Sequence, residues 1–225
     1  MTKGYIFDYG GTLDTGGQHW GKVIWHAYER HGVGVSEAAY REAYVYGERT
    51  LAKNPIVKPD FTFRDTLSAK LKLQLDYLAN YSEERFEALL DDLYQGVRAE
   101  TQRSREVLLQ LRRDYPMVLV SNFYGNISTV LREFGLDGIF SQIVESAVVG
   151  VRKPDPRIFT LGVEALGFRP EEVTVVGDSM DKDILPARAA GCHTVWFKGE
   201  GWTDAPVDER QADRVITSLK ELLAV

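Results

Sequence analysis

The sequence predicts an α/β fold, a doubly wound parallel sheet carrying one helical insertion. Three observations predict it. Short apolar runs recur along the chain, among them Tyr5-Ile6-Phe7, Val118-Leu119-Val120 and Val173-Thr174-Val175-Val176; strands that read this way are buried on both faces, the habit of parallel sheets. From residue 98 onward such runs alternate with helical spacing, as βαβ units require. Between the first run and residue 98 there is helical spacing and no buried-strand run at all.

Taken in order, Gly4–Asp8 is the first strand and leads into the permissive turn Gly10-Gly11. Residues 16–97 then show apolar positions at helical intervals: Val23, Ile24, Ala27 and Tyr28; Leu67, Leu71, Leu75 and Leu78; Phe86, Leu89, Leu90 and Leu93. Ser82 is placed to cap the last of these helices, and Asn54-Pro55 and Lys58-Pro59 break the earlier ones. A helix around Arg103–Asp114 precedes strand Met117–Ser121, and one around Asn126–Phe134 precedes a short strand at Ile143–Glu145. A helix over Pro156–Leu166 precedes strand Val173–Gly177, and one over Asp181–Ala190 precedes strand Thr194–Phe197. Leu219–Leu223 is helical. The economical division is an α/β core of residues 1–15 and 98–225 with a helical unit, 16–97, inserted after the first strand.

Composition narrows the function classes. The 225 residues carry a net charge of −6, against the clustered basic charge of a nucleic-acid surface. No apolar stretch approaches the ~18 residues of a membrane span, and the N-terminal residues lack a leader pattern; a cytoplasmic protein is expected. The single cysteine, Cys192, cannot form an internal disulfide and reads as a small buried residue entering a strand. Oligomeric state is left open.

Four segments carry chemistry. Asp8 leaves the first strand at the carboxyl edge of the sheet, where ligands gather in open α/β folds. Ser121-Asn122 follow the strand at Met117, Lys153 lies in Gly150-Val151-Arg152-Lys153-Pro154, and Asp178 follows the strand at Val173. The set is an acidic nucleophile, a hydroxyl, an ammonium and a second carboxylate. In this order and spacing the segments resemble the four motifs of the haloacid dehalogenase (HAD) superfamily, over nearly the whole chain.

The resemblance implies a Rossmann-like HAD core with a mobile helical cap at 16–97, and a hydrolase acting on a small phosphorylated metabolite. It assigns Asp8 as the nucleophile that would form an aspartyl-phosphate and Lys153 as the ammonium that orients Asp8 and the phosphate. Ser121, Asn122 and Thr12 would bind the phosphoryl group. Mg²⁺ would be held by Asp8, the Gly10 carbonyl and Asp178, with Asp183 supporting them. Mg²⁺ prefers such hard oxygen donors and keeps several waters. Asp181, between the matched positions, reads as a helix-start residue.

One letter departs from the pattern. Phosphatases of the family read Asp-x-Asp-x-Thr, and the second Asp is Gly10 here. That residue is the general acid/base, and positioned proton transfer is worth about 10²–10⁴ in rate. Asp14 and His19 are the candidates to replace it, each otherwise read as a hinge or packing residue. The alternatives are hydrolysis of C–P or C–halogen bonds, or a low-turnover phosphate-binding relative. A C–P hydrolase of this family would need a cap lysine to form a Schiff base; Lys22, Lys53, Lys58, Lys70 and Lys72 are the cap lysines. Trp20 and Trp25 read as cap-core aromatics, and Trp202, in a loop leaving the last core strand, reads equally as a surface contact or loop anchor and as a functional residue.

Overall fold

The structure is a computed structural model and describes residues 1–203 and 205–224. Six strands form one sheet: β1 (Gly4–Phe7), β2 (Met117–Ser121), β3 (Gln142–Glu145), β4 (Val173–Gly177), β5 (His193–Phe197) and β6 (Arg214–Ile216). All are parallel, in the order β3-β2-β1-β4-β5-β6. The chain reverses its direction of travel across the sheet between β1 and β4, and the crevice outside their carboxyl ends is where such sheets bind ligands. The predicted fold class is therefore observed, with β6 as an additional edge strand.

Alternate side chains of the central strands enter two hydrophobic layers. Tyr5, Phe7, Met117, Leu119 and Val176 join one, whereas Ile6, Val118, Val120, Val173 and Val175 join the other. The second layer is closed by α7 (Arg157–Leu166) through Ile158, Phe159 and Val163. Short helices α5 (Ile127–Glu133), α6 (Ser146–Val149) and α8 (Leu185–Ala189) complete the core. Between Asp178 and α8 the backbone forms a π-turn over Met180–Ile184, where a regular helix from Asp181 was expected.

The segment after β1 folds into α1 (Trp20–Arg30), α2 (Glu37–Lys53), α3 (Phe63–Tyr77) and α4 (Glu83–Leu111). Ser36, Thr62 and Ser82 cap α2, α3 and α4, each accepting a hydrogen bond from the backbone N–H three residues on, which satisfies an otherwise orphan donor. Leu67, Leu71 and Leu75 are nearly inaccessible, a burial that stabilises by about 1.5–3 kcal/mol per side chain. Helix α4 runs without a break for 29 residues, so the helix expected to begin near Arg103 is its second half. Among the described residues, no helix is long and apolar enough to cross a membrane.

Candidate active site

Asp8 is the first residue beyond β1, and its N–H donates to the carbonyl of Val176 on β4. The carboxylate is thereby fixed at the crevice between the two strands. Asp178 follows β4, and Asp183 lies in the π-turn beyond it. Lys153 Nζ reaches both Asp8 Oδ1, at 2.5 Å, and Asp183 Oδ1, at 2.6 Å. Ser121, at the end of β2, is buried and lines the same cavity.

Neighbouring groups hold these in place. The Asn122 side chain donates to the Lys153 carbonyl and accepts from the Lys153 N–H, tying the loop after β2 to the lysine. Asp183 Oδ2 accepts the Ser179 N–H at 3.0 Å. The Thr12 hydroxyl donates to Asp178 Oδ1 at 2.9 Å, and the residue is completely buried and outside the cavity lining. Gly11, at φ +97°, passes so close to the Asp178 carboxylate that a Cβ there would collide with it.

One oxygen from each of Asp8, Asp178 and Asp183 lies within 4.8 Å of the others, so the three could hold a metal ion. The electrostatics favour one. Two buried carboxylates, Asp8 and Asp183, share the Lys153 ammonium, and Asp178, half-buried beside them, has no salt-bridge partner among the described residues. Burial, opposed by Lys153 and aided by Asp183, pushes Asp8 up to about 6. Burial, then Asp183 and Asp8, raise Asp178 well above the ordinary carboxylate range. Burial works to lower the Lys153 pKa, but Asp183 and Asp8 outweigh it and hold the ammonium above its ordinary value. Excess negative charge gathered in one site is what a divalent cation neutralises. The donor set fits a hard cation, carboxylates around a backbone turn with no sulfur or imidazole.

Position 10 opens into the cavity. A Cβ there would meet only Trp20, at 3.9 Å, and the backbone is not in the left-handed region. Trp20 Nε1 donates to Asp14 Oδ2 at 2.9 Å, and the Gly11 N–H donates to Asp14 Oδ1 at 2.7 Å. Asp14 is buried yet lines the cavity. Burial drives its pKa up, the two N–H donors restrain the rise, and the outcome is about 7. His19 is different. Its Nδ1 accepts the Gly21 N–H as the cap of α1, and burial, reinforced by Lys182, lowers its pKa to about 4. His19 is a neutral cap at physiological pH.

The cavity, of about 910 Å³, lies between the carboxylates and the inserted helices. Across it from Asp8, Lys70 of α3 pairs with Glu48 of α2 at 2.7 Å, and Tyr124 of the core donates to the other Glu48 oxygen at 3.0 Å. Sequence reasoning missed Glu48 and Tyr124. A signal existed on the helix: Lys70 and Gln74 stand within the buried Leu67–Leu71–Leu75 stripe, where a polar side chain needs a partner. Trp202 is wedged against Gly21, His19 and Tyr44 and also lines the cavity. Cys192 is buried and burial raises its thiol to about 11, an unreactive state.

The sequence matches the haloacid dehalogenase-like hydrolase family over residues 2–191, and the chain belongs to that family. It is 35% identical over 130 residues to glyceraldehyde 3-phosphate phosphatase of Pyrococcus furiosus, a match covering 56% of this chain and 54% of the relative, so the chain spans about half the length of that protein. It is 27% identical over 184 residues to phosphoglycolate phosphatase of Aliivibrio fischeri, covering 81% and 75%. Among solved structures, a dehalogenase superposes with a TM-score of 0.67 at 20% identity, covering 99% of this chain and 96% of the other. That last likeness speaks to the fold alone.

Proposed function

We propose that this protein is a Mg²⁺-dependent phosphatase of small phosphorylated metabolites, with residues 16–97 as a cap over a core of 1–15 and 98–225. The observation that carries the reading is Lys153 bridging Asp8 and Asp183 while Asp178 stands uncompensated beside them. Phosphoryl transfer demands charge neutralisation and positioning above all, and this arrangement supplies both. Asp8, the Gly10 carbonyl and Asp178 would hold the ion, which neutralises charge on the phosphoryl oxygens when bound.

The chain's own residues would act as follows. An Asp8 carboxylate oxygen attacks phosphorus while the ester P–O bond breaks. Lys153, Ser121 and the Asn122 N–H hold the phosphoryl oxygens. Asp14, protonated near neutrality, gives its proton to the departing alkoxide. Water then attacks phosphorus, its proton passes to Asp14, and the P–O bond to Asp8 breaks to restore the carboxylate.

The Lys70–Glu48 pair weighs against the Schiff-base alternative. An amine that attacks a carbonyl must be neutral, whereas Glu48 and its neighbours outweigh burial to hold Lys70 above its ordinary pKa. The decisive measurement is phosphate release from a panel of sugar, alkyl and acyl phosphates with Mg²⁺ present. Asp8→Asn is expected to fall to the uncatalysed background. Retained turnover in that variant, or no hydrolysis by the unmodified protein, would overturn the reading.

A further inference from the structure

The cavity is larger than a phosphoryl group needs. Its volume of about 910 Å³ lies near the top of the range of about 300–1,000 Å³ that ligand pockets span. A second depression, of about 720 Å³, adjoins it, and Arg49 and Lys53 line both.

The lining carries both signs of charge. Asp8 and Asp178 stand at the ends of β1 and β4, with Asp14 and Asp183 also in the lining. Besides Lys153 it carries the cations Arg49, Lys53, Lys70, Arg152 and Lys182, with Glu48 as the only further carboxylate among the described lining residues. Lys70 is committed to Glu48. The other four side chains have no ion-pair partner among the described residues. Unpaired cations converging on one cavity are unexpected in a chain of net charge −6.

Helix α2 explains part of this and no more. Lys53 is in its last turn, where a cation complements the helix dipole. Arg49 stands four residues earlier and so on the same face. Arg152 comes from the loop beside Lys153, and Lys182 from the π-turn between Asp178 and α8. No shared local motif gathers them. Their common property is the cavity.

We infer that Arg49 and Lys53 of α2, with Arg152 and Lys182 contributed by the core to the same cavity, form a binding site for a second anionic group on the substrate, a carboxylate or phosphate at the end away from the reacting phosphoryl. The inference rests on the phosphatase reading for the reacting end. Arginine pairs with either anion through two parallel N–H donors, and the collected positive potential would speed capture of a doubly anionic substrate over a singly anionic one.

The test is calorimetric titration of the Mg²⁺-loaded protein, at fixed free Mg²⁺, with three phosphonates that share a propyl spacing. Propylphosphonate carries one anion, 4-phosphonobutyrate adds a carboxylate, and propane-1,3-bisphosphonate adds a second phosphonate. One or both of the doubly anionic probes are expected to bind about tenfold tighter than propylphosphonate or better, the scale of one charge-assisted contact. Which probe gains identifies the group the site takes. Arg49→Gln combined with Lys53→Gln, exposed changes that keep length and helix propensity, should bring the ratio toward one. Lys58→Gln, outside the lining, should keep it. Equal affinity for all three probes, with phosphate esters still hydrolysed, overturns this inference alone. A preference that survives the double variant and Arg152→Gln overturns it too. No binding of any probe together with no hydrolysis overturns the phosphatase reading as well.

Discussion

Asp14 and Trp20 are joined by a 2.9 Å hydrogen bond from the indole Nε1 to Oδ2, beside the space that a side chain at position 10 would enter. The proposed mechanism needs an acid that glycine at position 10 cannot supply, and a protonatable carboxyl borders the open space beside it. The indole N–H and the Gly11 N–H favour the charged carboxylate, burial disfavours it more, and the balance near 7 suits a group that must give and regain a proton.

Asp14→Asn should therefore slow the hydrolysis of alkyl phosphates by about 10²-fold or more, within the range for a positioned acid, and acyl phosphates much less. The pH profile gives the sign. An acid works when protonated, so alkyl phosphate turnover should fall as pH rises through about 7, while a separate acidic limb belongs to Asp8, whose carboxylate must be ionised to attack. In Asp14→Asn that falling limb should disappear. A profile unchanged by the substitution would show that Asp14 only supports Trp20.

Gly10→Asp should raise alkyl phosphate hydrolysis by up to about 10²–10⁴. The backbone permits the change: the positive φ belongs to Gly11, and the nearest obstacle to a Cβ at position 10 is the Trp20 ring at 3.9 Å. Acyl phosphates, which depart without protonation, should gain far less. Steady-state kinetics on matched alkyl and acyl substrates distinguish the two. Equal gains would locate the limitation in water activation.

The central strands were legible because buried parallel strands must be apolar on both faces, and Val118–Val120 and Val173–Val176 are. Strand β6 was not, since Arg214 and two residues make too short a run. The full extent of α4 was hidden by Thr101 and Ser104, which interrupt its apolar stripe. Both are buried with satisfied hydroxyls, Thr101 donating to Val97 and Ser104 to Leu13 across the junction with the first strand's turn. Asp8 and Asp178 carried a local signature because a strand end fixes each, and Lys153 because it stands in the short segment Gly150–Pro154 between α6 and α7. Glu48, Lys70 and Tyr124 did not, because what joins them is the approach of the inserted helices to the core, and no spacing within one element encodes that.

Lys153→Met should destabilise the metal-free protein as well as inactivate it. The ammonium is the partner of two buried carboxylates, and deleting one member of a buried charge cluster costs about 3–5 kcal/mol. Urea denaturation at neutral pH measures the loss. Protonation of the abandoned carboxylates relieves it, so the deficit should shrink as pH falls. A loss that does not vary with pH would mean the lysine contributes packing alone.

Asp178→Asn should separate metal binding from folding. Asp178 has no salt-bridge partner among the described residues, and burial with two neighbouring carboxylates makes its charge unfavourable. Without metal, the neutral amide should fold at least as stably as the natural residue, because the Thr12 hydroxyl can still donate to its oxygen. With Mg²⁺ the order should reverse. Binding to the folded state alone stabilises by about 2.7 kcal/mol at one hundred times the dissociation constant, and the natural protein should gain this while Asp178→Asn should not. Gly10→Ala should keep the gain, since that position would contribute only its carbonyl. Thermal melting with and without Mg²⁺, paired with calorimetric titration of the metal, reads both effects. A metal-dependent rise in melting temperature that persists in Asp178→Asn would remove this residue from the ligand set.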